Sequence, residues 1–195
     1  MSRYRTRSWR AFDPNAAPPT VTAASVRILG LDPGSRRTGF GVIECRDDRL
    51  LPLAHGCLNV AALAPAARLR RLFEGLRALI REHAPAEVAV ERVFVSHNAD
   101  SALKLGQARG AALCAIPEGV AVFEYAPRAI KLAVVGSGAA EKFQVAHMVC
   151  ALLALRERPG TDAADALAVA VCHAHARRLV ALAQLAAPRW PQARR

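Results

Sequence analysis

Short, almost wholly apolar runs separated by turn residues dominate the first third of the chain. Arg27 to Leu31 is one such run, Phe40 to Arg46 follows it after a Gly-rich turn, and a return segment from Leu50 to Val60 comes after Asp47 and Asp48. Runs of this length, punctuated by glycine and aspartate, predict three antiparallel strands in a meander. The period changes at Pro65. Leu69, Leu72, Phe73, Leu76, Leu79 and Ile80 recur at the three-four spacing of one buried helical stripe, with the proline at a helix-start position. Val88 to Val90 form a short, wholly apolar run of the kind found in a strand covered on both faces. Asn98 can cap a helix running to about Ile116. A strand over Gly119 to Tyr125, a short helix over Pro127 to Val135, a turn at Gly136 to Gly138, a helix from Ala139 to Leu155 and a last helix from Asp162 to about Leu185 complete the pattern. A meander followed by alternating helix and strand predicts an α/β domain with a mixed five-stranded sheet and helices on both faces.

Acids stand where these elements end. Asp32 closes the first apolar strand and opens Pro33, Gly34 and Ser35; Glu91 ends the strand around Val88 to Val90; Asp162 and Asp165 begin the last apolar helix. Each has an ordinary explanation taken alone. Asp-Pro-Gly is good turn chemistry, an acid after a strand is usually a solvated end, and acids in a first helical turn suit the macrodipole, with Thr161 as the expected cap. Together they read differently. If the strands are neighbours, their carboxylates converge at one sheet edge, where like charges repel unless they protonate or bind a cation. Carboxylate oxygens without histidine or thiolate partners favour Mg²⁺ or Mn²⁺ over zinc, and two such ions about 4 Å apart form a clamp for phosphodiester hydrolysis.

Charge adds a polyanionic partner to that picture. The chain of 195 residues carries a formal net charge of +11, and Lys and Arg gain affinity for nucleic acid by releasing condensed counterions. Much of the excess lies at the ends: residues 1–26 hold four Arg and one Asp, and residues 177–195 hold five Arg and no acid. The first 26 residues show no apolar period and read as a basic, disordered extension; 27–177 read as one nuclease domain; 178–195 read as the end of the last helix and a basic tail. No secretory h-region or membrane segment is apparent, and five cysteines without a CxxC pair are expected to be reduced and mostly buried in a cytoplasmic protein.

Five blocks then carry a family resemblance: Leu29 to Val42 around Asp32, Glu91 to Phe94, Asn98 to Gly110, Val134 to Val145 and Asp162 to Ala168. In this order they resemble the RuvC family of Holliday-junction resolvases, over about Arg27 to His175. The resemblance implies a ribonuclease-H-like fold, a homodimer, Mg²⁺-dependent symmetric nicking of four-way DNA junctions, and partnership with a branch-migration motor complex. It places the catalytic, metal-holding acids at Asp32, Glu91, Asp162 and Asp165, with two ions per site. Lys131 and Lys142 match DNA-contacting positions; Lys104 and Arg109, in the third block, are expected as further DNA contacts. Phe94, past the end of its apolar strand, is expected to wedge against an unpaired base.

The pattern also has departures and alternatives. His97 stands where many relatives have Lys, which puts one backbone contact in question. Cys172, His173 and His175 are read as an ordinary helix end rather than a soft-metal site. Ala99, Ala102, Leu103, Gly106, Gly110 and Leu113 share one helical face, expected as the dimer contact through Gly106 and Gly110, against the alternative that the glycines make room for the protein's own sheet. A relative specialised on structured RNA and a silent junction-binding protein remain as other functions. A sugar-kinase-type phosphotransferase would need two such domains, for which the chain is short.

Overall fold

The computed structural model describes residues 25–46, 49–92 and 98–186. Phe94, His97 and the turn at Asp47 and Asp48 therefore lie outside the described residues, as do residues 1–24 and 187–195 of the two basic ends. Three antiparallel strands come first: β1 (Val26–Asp32), β2 (Arg37–Arg46) and β3 (Arg49–Asn59). Helix α1 (Pro65–His83) leads to β4 (Glu87–Glu91), which pairs parallel with β1. Helix α2 (Ala99–Cys114) leads to β5 (Ala121–Tyr125), parallel to β4. Helices α3 (Pro127–Val135), α4 (Lys142–Leu152) and α5 (Thr161–Ala186) follow. The sheet order is β3-β2-β1-β4-β5, a mixed five-stranded sheet as expected.

Strand alternation divides the core between two faces. Ile28, Ile43 and Ala89 join α3, α4 and α5 on one side; Leu29, Leu31, Val42, Val88 and Val90 join α1 and α2 on the other. From the predicted stripe of α1, Leu72, Leu76 and Ile80 are buried, and Leu69, Phe73 and Leu79 pack at the margin. The helix α5 lies so close to the sheet that a Cβ at Gly30 would strike the Ala166 carbonyl, and one at Gly39 the Asp162 carbonyl. Glycine at these two positions lets the start of α5 settle over the ends of β1 and β2.

Several boundaries differ from expectation for local reasons. β5 begins at Ala121 because Gly119 adopts φ 90° in the preceding turn. α4 begins at Lys142, not Ala139, because Glu141 and Gln144 form a reciprocal capping box. It stops at Leu152, with Ala154 left-handed at φ 48°. Thr161 is the first residue of α5 rather than its cap, and the Gly160 carbonyl accepts the first helical bond from Ala164 N at 2.9 Å. Asn98 does cap α2, accepting from Ser101 N at 3.1 Å.

Helix α2 packs through Ala108 and Ala112. Gly106 and Gly110 are exposed and nothing stands within 4 Å of a Cβ built on either, so they make no room for the sheet. Leu113, grouped with them from the sequence, instead packs into the core beside α1. All five cysteines are free, but only Cys172 is buried and Cys114 is exposed. His173 sits within α5, not at its end, and is buried between Tyr125 Oη at 2.7 Å and Glu87 Oε2 at 2.6 Å.

Candidate active site

Asp32 is delivered by the end of β1, paired in register with Gly39. The turn after it is pinned by Thr38, fully buried, whose Oγ1 donates to the Gly34 carbonyl at 3.1 Å. Glu91 is delivered by the end of β4, one strand away. Its backbone is held by Arg109 Nη1, which donates to the Glu91 carbonyl at 2.6 Å, and by pairing of Arg92 N with the Tyr125 carbonyl at 2.8 Å. The first turn of α5 brings Asp162 and Asp165.

These four carboxylates share one electrostatic environment. Asp32 is pushed up to about 6, first by burial and then by the Asp165 charge, with Lys142 pulling the other way. Glu91 is pushed up to about 7, again by burial first, then by Asp32 and Asp165. The Asp32 charge disfavours ionisation of Glu91, so the pair resists being charged together. Lys142 Nζ is 3.1 Å from Asp165 Oδ2. That ion pair raises the Lys142 ammonium above its ordinary range. Asp162 Oδ2 is taken by Arg37 Nε at 3.0 Å and by the Cys57 thiol at 3.4 Å.

Asp165 is thus paired with a lysine and Asp162 with an arginine. Among the described residues, no three acid, histidine or cysteine side chains close around a single point. The donor chemistry nonetheless fits a hard divalent cation: oxygen ligands only, partly desolvated, with Lys142 and Arg37 already drawn to two of them. Lys131 and Lys142 line a cleft of about 220 Å³ together with Glu91 and Asp165. The larger groove, of about 1090 Å³, lies around His173 and the distal half of α5 and contains none of the four acids.

Two expected DNA contacts have acidic partners within the chain. Arg109 is nearly enclosed and joins the Glu91 carbonyl to the Glu124 carboxylate, so it braces the site. Lys104 pairs with Asp100 one turn earlier on α2. Arg37 and Cys57 were not singled out from the sequence. Their only signal is position, since Gly39 pairs with Cys57 across the hairpin and Arg37 lies two residues away on the same face.

Known proteins share this framework. The profile described as "Crossover junction endodeoxyribonuclease RuvC" matches residues 28–173. A protein of that name from Halorhodospira halophila is 58% identical over 154 residues, covering 77% of this chain and 91% of its own length. Another from Shewanella amazonensis is 54% identical over 157 residues, covering 80% of this chain and 91% of its own. The structure of Thermus thermophilus RuvC in complex with Holliday junction substrate superposes with a TM-score of 0.71 at 32% identity, covering 79% of this chain and 96% of that one. The sheet order, the glycine-seated α5 and this agreement over most of both chains identify a ribonuclease-H-like fold, and the chain belongs to the crossover junction endodeoxyribonuclease RuvC family.

Proposed function

We propose that this chain is a structure-specific endonuclease that resolves four-way DNA junctions by paired symmetric nicks, in recombination and repair. The observation that carries the reading is the meeting of Asp32, Glu91, Asp162 and Asp165 at one end of the sheet, with Lys131 and Lys142 on the adjoining wall. The Thermus relative, solved on a Holliday junction substrate, supports the choice of DNA.

The four acids would hold two Mg²⁺ ions, with Mn²⁺ able to substitute. Bound there, the cations supply an activated water and offset the charge that builds on the phosphate oxygens. Asp32 and Glu91 must be ionised to hold a cation, and their raised values of about 6 and about 7 put that ionisation close to neutral pH. Lys142 lowers the repulsion among the acids, and with Lys131 it offers positive charge to the backbone phosphates. Arg109 keeps Glu91 in register. Cleavage would leave 5′ phosphate and 3′ hydroxyl ends.

Two nicks related by a dyad need two such sites, so the working particle is read as a homodimer, with the open α2 face around Gly106 and Gly110 as the contact. A branch-migration motor complex is the proposed partner. No helix among the described residues is long and apolar enough to cross a membrane, and five free thiols support a cytoplasmic setting.

The test is cleavage of a four-way DNA junction, a matched duplex and a structured RNA, each with Mg²⁺. Paired nicks confined to the junction support the reading; equal cutting of duplex or a preference for RNA would replace it.

A further inference from the structure

Asp162 differs from the other three acids in being held by a residue outside the matched acid and lysine positions. We infer that Arg37 is a positioning residue that restrains Asp162 in the DNA-free protein and releases it when a backbone phosphate of the junction takes the guanidinium. The inference rests on the proposed role of Asp162 as a metal ligand.

The restraint follows from the hairpin. Arg37 and Gly39 alternate onto one face of β2, and Cys57 of β3 pairs with Gly39. Gly39 leaves room for the backbone of Asp162, so the first turn of α5 rests on the hairpin between the two side chains. Arg37 Nε and the Cys57 thiol then both reach Oδ2 of Asp162. An oxygen occupied by a guanidinium is less available to a cation, because the two positive charges compete for it.

The restraint is also built to be released. The Arg37 side chain is 60% exposed whereas Asp162 is 30% exposed, so the guanidinium can leave without unpacking anything. A phosphodiester offers it two oxygens in the planar geometry that arginine matches best. Arg37 lies beside the acids that act on the phosphodiester, so a bound strand brings such a group within its reach. Junction binding and metal binding are then linked: each strengthens the other by the same factor.

The experiment titrates the full chain with Mn²⁺ alone, reading free Mn²⁺ by electron paramagnetic resonance, for the parent, Arg37→Gln, Arg37→Lys and Asp162→Asn. Without DNA, Arg37→Gln should bind Mn²⁺ about two- to fivefold more tightly than the parent, the scale of one exposed ion pair. Arg37→Lys, which keeps the charge, should stay near the parent. An uncleavable junction bearing phosphorothioate linkages should tighten Mn²⁺ binding in the parent and much less in Arg37→Gln. Unchanged or weaker Mn²⁺ binding by Arg37→Gln, with Asp162→Asn clearly weakened, would overturn the restraint alone. An Asp162→Asn protein that binds Mn²⁺ like the parent would remove Asp162 from the site, and the inference with it.

Discussion

Lys142 Nζ stands 3.1 Å from Asp165 Oδ2, which holds one positive charge beside the buried carboxyls of Asp32 and Glu91. Its field lowers the pKa of both Asp32 and Glu91, opposing burial and mutual repulsion. Protons and cations compete for those two carboxyls, so Mn²⁺ affinity should fall as pH drops below about 7 and continue falling through about 6. Lys142→Gln removes the lowering influence, and the acid limb should move to higher pH. A pH series of Mn²⁺ titrations on parent and variant checks this; a limb that stays in place would detach Lys142 from the cluster's electrostatics.

The same raised values have a cost in stability. Asp32 and Glu91 bind protons more tightly folded than unfolded, so between about pH 4 and pH 7 the native state holds more protons and stability falls as pH rises. Above that window, in chelator, the destabilisation is complete. Asp32→Asn or Glu91→Gln should therefore stabilise the metal-free protein at pH 8 by about 1–2 kcal/mol, after discounting for partial exposure. At pH 4 the gain should vanish. Chemical denaturation at both pH values measures it, and equal effects at the two would contradict the linkage.

Gly39→Ala probes the seat of α5. A methyl group there meets the Asp162 carbonyl, so the first turn of the helix must lift from the hairpin. Overpacking of this kind should cost about 1–3 kcal/mol and displace Asp162 and Asp165 together, reducing nicking further than the stability loss explains. Gly136→Ala, at φ 83° with open space around it, serves as the comparison for backbone strain without a clash. Activity intact in a Gly39→Ala protein would mean that the close approach is not what places the acids.

The exposed face of α2 gives a prediction about assembly. Leu103 is 63% exposed and flanks Gly106 and Gly110, so a second copy of the helix can approach closely there. Gly106→Leu should shift a dimer towards monomer and uncouple the two nicks, while monomer stability changes little because no neighbour is struck. Sedimentation velocity decides; a variant that stays dimeric places the contact on another surface.

What was legible in the sequence was whatever depended on local pattern. Period and punctuation located β1 to β4, α1 and α3, and the acids at strand ends could be paired because Asp32 and Glu91 close adjacent parallel strands. Long-range contacts were not legible. The thiol of Cys57 meets Asp162 across 105 residues only because Gly39 lets α5 descend onto the hairpin. The brace from Arg109 was not legible either, because a matched block names a residue without saying where its guanidinium goes; here it donates to the Glu91 carbonyl. The start of α4 was set too early because Ala139 and Ala140 suit a helix, whereas the Glu141–Gln144 box sets the boundary.

In the proposed function the four acids perform chemistry and do not provide the grip on DNA. Binding and nicking of one labelled four-way junction, measured in parallel with Mg²⁺ for the parent, Asp32→Asn and Glu91→Gln, tests it most directly. Both variants should hold the junction at parental affinity or tighter, since negative charge has been removed beside phosphates, and yield no nicks. Nicking at the parental rate by either variant, or loss of junction binding in a folded variant, would contradict it.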